Sequence, residues 1–323
     1  MFLHGCNYPW STNGQTVFYG LDFGANVWGS HLGVSTRRAA VARDFDAMAA
    51  LGFTTVRWFV FTDGRSGIVY GAGGIPAGLD AHVFDDMDAA LEIARDVGIR
   101  LVLVTLDHRW MFRLPYVRAG VLLYVPARGA FFDGVLLPLL DRYGPSGARA
   151  DLALSIAAWE LMNEPDWVIR EWTADRSPHA DRPLPFAVAA ALVARFSEAV
   201  HRHTAALATL GAGRARNLSA WDDDALGLDL LQVHYYPDTW RPHLDIEVAG
   251  RPATALGLNR PVVLGEFPGQ KAGEYLEFAL ASGYAGAWPW SFSGTDAYGR
   301  LPAGPIIAFG RAHPGLVNPR FQP

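Results

Sequence analysis

Glu164 and Glu266 each stand at the close of an apolar run, Trp159 to Met162 before the first and Val262 to Gly265 before the second. Taken singly, such a glutamate reads as a solvated or ion-paired residue at a strand end. The pattern recurs, however. Arg57 lies within TTVRWFVF, Asp107-His108 closes IRLVLVTLDH, Asn163 precedes Glu164, His234-Tyr235-Tyr236 closes LDLLQVHYY, and Trp290 stands in GYAGAWPWSF. Six apolar segments out of eight thus carry polar or aromatic residues that a core would not select. If the segments are parallel strands of one closed barrel, these residues gather at one mouth, where the strand-to-helix loops converge. Glu164 and Glu266, three strands apart, then face each other. Two facing carboxyl groups are what cleavage of a glycosidic bond requires. A separation of about 5–5.5 Å suits covalent double displacement, and about 6.5–9.5 Å leaves room for an attacking water. Sequence alone does not measure the gap.

The elements that would carry these residues alternate regularly. Expected strands are Phe2 to Trp10, Thr54 to Phe61, Ile99 to His108, Leu152 to Pro165, a short one at Arg216 to Asp222, and those around LDLLQVHYYPD, PVVLGEFPG and GYAGAWPWSF. Helical spacing with a terminal glycine marks Arg37 to Gly52. Further helices are expected at His82 to Gly98, Phe132 to Tyr143 and Phe186 to about Leu210. Parallel neighbours need crossovers, so eight strands alternating with helices imply a (β/α)8 barrel. At 323 residues the whole chain, 1–323, fits one such barrel with about 40 residues per unit. The dinucleotide-binding alternative fails on its fingerprint: GAGGIP at Gly71 has proline where the third glycine belongs and follows the second strand.

Composition narrows the function classes. Half the residues are hydrophobic and 18% are charged, which excludes a disordered or fibrous chain. A net charge of −5 argues against a nucleic-acid or anionic-membrane partner. Cys6 is the one cysteine, so internal disulfides and multi-cysteine metal centres are excluded. No apolar stretch approaches the roughly 20 residues that span a bilayer, and MFLHGCNYPW lacks the features of a secretory signal. As written the chain is expected to be cytoplasmic, and exported if a leader has been removed.

Asn163-Glu164-Pro165 at the end of the fourth strand and Gly265-Glu266-Phe267 in the seventh resemble the glycoside hydrolases of clan A, above all family 5, the cellulases and β-mannanases. The likeness runs along the whole chain. It includes Arg57 in VRWF, His108 in LDH, the His234-x-Tyr236 pair and Trp290. It implies a retaining β-glycosidase acting on β-mannan or β-glucan, with Glu164 as acid/base and Glu266 as nucleophile. Physical chemistry agrees with those roles. A nucleophile must stay ionised and needs donors such as Arg57 and Tyr236, whereas an acid needs a drier or more anionic setting. Asn163 suits a sugar 2-hydroxyl, and His108 and His234 can orient the acid and the sugar. Trp290 offers a flat face to a pyranose ring, with Trp110, Trp221, Trp28 and Trp167 as further platforms. Asp63 and the stretch from Gly64 to Gly74 are expected to form a loop at the rim.

No metal or cofactor is expected. His201 and His203, two apart on a helix, point to different faces, and Asp222 to Asp224 lack the glycine and distal glutamate of a calcium loop. Two alternatives are an exo-acting β-glycosidase on a short glycoside or glycoconjugate, and a catalytically silent carbohydrate-binding barrel. Retention of both glutamates weighs against the silent barrel.

Overall fold

Short β-branched and aromatic runs, each buried along nearly its whole length, alternate with helices that are apolar on one face, and the strands close into a ring. The computed structural model describes residues 2–11, 21–62, 64–108, 125–172, 183–236, 248, 251–294 and 298–323. The barrel strands are β1 (Leu3–Asn7), β2 (Thr55–Phe59), β5 (Arg100–Asp107), β6 (Ile156–Asn163), β7 (Leu207–Ala212), β8 (Leu231–His234), β9 (Val262–Glu266) and β10 (Gly286–Ala287). They follow one another around the ring in chain order, and β10 pairs with β1 to close it. Every pairing is parallel. The expected (β/α)8 barrel is therefore the fold. A small antiparallel hairpin, β3 (Ile68–Tyr70) with β4 (Pro76–Leu79), lies between β2 and β5.

The outer layer contains α1 (Arg38–Ala50), α2 (Val83–Asp96), α3 (Val125–Phe131), α4 (Leu137–Arg142), α5 (Phe186–His203), α6 (Leu218–Trp221), α7 (Ala272–Ala281) and α8 (Ala303–Ala312). A π-helical turn, Phe132–Leu136, joins α3 to α4. Helix α1 shows why these segments dock. It buries Val41, Phe45, Met48 and Ala49, a stripe at three- and four-residue spacing, against the barrel wall. Each large side chain so buried stabilises the fold by about 1.5–3 kcal/mol. No helix among the described residues is long and apolar enough to cross a membrane.

Inside the ring a small apolar plug, including Val102, Ala158, Val263 and Trp288, fills one level. Gly5 makes this possible: a β-carbon there would lie 2.7 Å from the Trp288 ring. The charged and amide groups of Arg57, Glu160 and Gln232 are also buried within the strands.

Three expectations need correction. Arg216 to Asp222 is not a strand: Ala215–Asn217 is a 3₁₀ turn and Leu218–Trp221 is α6. The fifth barrel strand is instead β7, Leu-Ala-Thr-Leu-Gly-Ala, which was read as the tail of the long helix; that helix ends at His203. Alanine and leucine favour helix locally, but here the sheet on both sides provides backbone partners and the cramped interior favours small residues. The segment from Gly64 to Gly74 is not all loop, since it contributes β3. Asp63 lies outside the described residues.

Candidate active site

The carboxyl-terminal ends of the strands bring the polar residues together. Arg57 on β2 is fully buried and uses all five of its N–H groups. Nε and Nη2 hold the two oxygens of Glu160 at 2.7 and 2.6 Å. Nη1 donates to Glu266 Oε1 at 2.7 Å and to Asn7 Oδ1 at 3.0 Å, and Nη2 also donates to Asn163 Oδ1 at 2.7 Å. Burial disfavours the charge, but Glu160 and Glu266 outweigh it and raise the guanidinium pKa above its usual value. Asn163 in turn donates to Asp107 Oδ2 at 2.8 Å. Tyr236 donates its hydroxyl to Glu266 Oε2 at 2.8 Å, so both oxygens of that carboxylate accept a hydrogen bond.

Glu164 follows β6 in the left-handed region, with φ 47° and ψ 54°. A non-glycine residue there costs about 1–3 kcal/mol and is held by its surroundings. Its N–H donates to Gly211 O at 2.7 Å, and Pro165 directs the chain into a short turn. The side chain is gripped at both oxygens. Oε1 lies 3.0 Å from His234 Nδ1, and Oε2 accepts from Trp167 Nε1 at 2.9 Å. His108 Nδ1 lies 3.9 Å from Oε2 and 3.5 Å from Asp107 Oδ2. Behind the turn, buried Asp166 accepts from Gly213 N at 2.7 Å and from Asn217 Nδ2 at 2.5 Å. Burial raises its pKa.

One donor atom from each of Glu164, His234 and Glu266 lies within 4.8 Å of the other two. The carboxylates are therefore close enough for double displacement and too close for an intervening nucleophilic water. Among the described residues this is the one group of His, Cys, Asp and Glu side chains close enough to meet on a metal ion. Its hydrogen bond from imidazole to carboxylate is, however, that of a group sharing a proton. The three titrate as a set. Burial works to raise the Glu164 pKa, but the hydrogen bond and charge of His234, with His108 and Trp167, bring it to about 2. Burial, with the charge of Glu164, raises Glu266 despite the opposing effects of His234, Arg57 and Tyr236. Burial lowers His234, but Glu266 and Glu164 more than compensate and raise it. In the free site Glu164 is thus held as a carboxylate and Glu266 is raised, the reverse of the order expected for an acid and a nucleophile, because His234 bonds to Glu164 while burial acts on Glu266.

Arg57, His108, Asn163, Glu164, His234, Tyr236 and Glu266 form one connected cluster. Trp290 stands beside it, its ring edge-on to Trp10 at 5.9 Å and Phe59 at 6.3 Å, and the Arg57 guanidinium lies 5.0 Å from the centre of the Phe59 ring. Trp221 does not join them. It is fully buried, packed against Trp172 at 5.3 Å and Phe186 at 5.1 Å, so neither ring face is open to a sugar. It closes α6, where the sequence predicts a strand, and the helix carries its ring into the core. Trp28 is exposed at 45%, while half-buried Trp167 packs under Arg214, whose guanidinium lies 5.0 Å from its ring centre. Trp110 lies outside the described residues.

Sequence reasoning overlooked Asn7, Trp10, Glu160 and Gln232. Asn7 closes β1, so the strand-end rule that singled out Asn163 applies to it equally. Glu160 was absorbed into an apolar run, although a carboxylate amid seven other buried strand residues is itself a signal. Gln232 donates to Glu160 Oε2 at 2.9 Å and is visible only once the ring is closed.

No protein-family model matches the chain. It is 25% identical over 331 aligned residues to the mannan endo-1,4-beta-mannosidase of Mytilus edulis, covering 90% of this chain and 83% of that protein. Among solved structures, the endo-1,4-beta-mannanase of Eisenia fetida superposes with a TM-score of 0.73 at 19% identity, covering 95% of this chain and 89% of the other. The beta-1,4-mannanase of Aplysia kurodai gives a TM-score of 0.73 at 21% identity, with 90% and 88% covered.

Proposed function

We infer that this chain, a relative of the clan A glycoside hydrolases of the family 5 type, hydrolyses β-mannan with retention of configuration, the whole chain serving as one catalytic barrel. The observation that carries this reading is the approach of Glu164 and Glu266 to within 4.8 Å. The curated relative from Mytilus edulis, matched along 90% of the chain, supports mannan over glucan.

Glu266 is the nucleophile. Arg57 and Tyr236 fix both its oxygens, leaving the outward face of the carboxylate to meet the anomeric carbon. Glu164 is the acid/base. To protonate the departing oxygen it must first gain a proton, and His234 Nδ1, 3.0 Å away, is within hydrogen-bond reach to pass one to it. Seating a sugar over Glu164 removes water, which disfavours its charged form and favours uptake of that proton. Attack of Glu266 then gives a glycosyl-enzyme, and Glu164, now a carboxylate, removes a proton from the incoming water. Asn163 is placed to meet the 2-hydroxyl, and Trp10 and Trp290 form an apolar wall for the ring.

Different failures of the two glutamates test the assignment. Glu266→Ala should be nearly inert on every substrate, with azide restoring turnover to a product of inverted configuration. Glu164→Ala should still react with an activated aryl β-mannoside, because an acidic leaving group needs no proton. Its glycosyl-enzyme should accumulate, and azide should then give a retained product. Equal responses of both variants across leaving groups, or inversion by the unaltered enzyme on soluble mannan, would refute the reading.

A further inference from the structure

Glu160 lies outside the reacting pair, yet it is the second carboxylate on Arg57. Its side chain is fully buried, the two-point grip on Nε and Nη2 is short at 2.7 and 2.6 Å, and Gln232 Nε2 braces Oε2 at 2.9 Å. Gln232 also donates to Thr209 Oγ1 at 3.2 Å, which ties the brace to β7. A β-carbon at Gly211 would stand 2.6 Å from Glu160 Oε1, so the glycine leaves room for this carboxylate. Burying a further charge is costly, and an apolar side chain of similar volume often fills such a site with no loss of stability.

We propose that Glu160 is a positioning residue for the nucleophile: it fixes the guanidinium of Arg57 by its Nε–Nη2 edge and shares its charge, so that Nη1 meets Glu266 without fully neutralising it. The inference rests on the reading of Glu266 as nucleophile. Its physical basis is competition for one cation. A guanidinium committed to Glu266 alone would stabilise the carboxylate strongly, lowering its pKa and weakening it as a nucleophile. With Glu160 on the opposite edge, that pull is divided. The groups facing Glu266 are Arg57 from β2, His234 and Tyr236 from β8 and the loop beyond it, and Glu164 from the end of β6. Glu160 reaches the nucleophile through the first of these. Burial raises the Glu266 pKa although Arg57 is 2.7 Å away and acts to lower it, and a guanidinium shared with Glu160 leaves that opposing pull weaker.

The test is the pH profile of kcat/KM on soluble β-mannan for the purified full chain and for Glu160→Gln, with thermal unfolding measured beside it. In the folded variant the acidic limb should move to lower pH by at least about half a unit, because Arg57 then acts on Glu266 undivided. Glu160→Asp, which keeps the charge but withdraws it by one methylene, should leave the limb in place while kcat falls about tenfold. An acidic limb unchanged in folded Glu160→Gln would overturn the proposal. If Glu160→Gln does not fold, Glu160→Asp decides: a lowered kcat with the limb in place supports the proposal, and any other result overturns it. Glu266→Ala in the same assay separates the two readings. If it stays active, the nucleophile assignment fails; if it is inert while the limb of Glu160→Gln stays fixed, only the role of Glu160 fails.

Discussion

Adding one methyl group at Gly211 should disable the site while leaving the barrel standing. Gly211 lies on β7, and its carbonyl accepts the N–H of Glu164. A β-carbon there would sit 2.6 Å from Glu160 Oε1, 3.0 Å from Arg57 Nη2 and 3.1 Å from His234 Nε2. Ordinary contact begins at 3.4 Å, so Glu160 must retreat by about 0.8 Å, with Arg57 and His234 giving way by about half as much. None of the three can swing into solvent, since Arg57 and Glu160 are 0% exposed and His234 is 2% exposed. Overpacking of this kind costs about 1–3 kcal/mol. For a chain of 323 residues that lowers Tm by about 1–5 °C. Catalysis should suffer far more, because Arg57 and His234 hold the two glutamates and a displacement approaching 1 Å costs on the order of a hundredfold in rate. The assay is kcat on soluble β-mannan for Gly211→Ala, with circular dichroism melting in parallel. A folded variant with kcat within threefold of the unaltered enzyme would refute the claim that the packing of this layer sets the positions of the glutamates.

His4, buried against the rings of Phe53 at 4.9 Å and Phe309 at 5.0 Å, has its pKa lowered by burial to about 4. The unfolded chain binds this proton from about pH 6.5 downwards, so stability present above that pH should be lost by about 3 kcal/mol as the pH falls towards 4. His4→Leu should flatten that part of a urea-denaturation pH series, and an identical slope would refute the assignment. Trp221→Ala should cost about 3–5 kcal/mol of stability while leaving KM of the folded protein within about twofold; a large rise in KM would restore this ring to the sugar. Exhaustive chelation should leave the mannan-hydrolysing rate unchanged, because Glu164 and His234 share a proton 3.0 Å apart. A loss restored by a divalent ion would show that the set with Glu266 binds metal.

Much of the site could be read from the chain because strand-end chemistry is local. A polar side chain closing an apolar run, as at Asp107-His108, Asn163-Glu164 and Glu266, marks the mouth of a barrel before its geometry is known. Alternation of strand and helix likewise implies parallel pairing without coordinates. Other features depended on the closed ring. The helix-favouring composition of Leu207–Ala212 yielded to neighbours that complete its backbone hydrogen bonds, and Trp221 moved from an expected rim to a core formed with Trp172 and Phe186. The separation of Glu164 and Glu266, which distinguishes retention from inversion, depends on barrel radius, on strand register and on the left-handed backbone at Glu164. Glu160 remained hidden for the same reason: its partners Arg57 and Gln232 are 103 and 72 positions away in the chain. Residue type and spacing state what chemistry a side chain can do, because those properties are local to the chain. Which charges share one cation, and at what distance, is settled when the strands close, because electrostatic coupling follows separation in space.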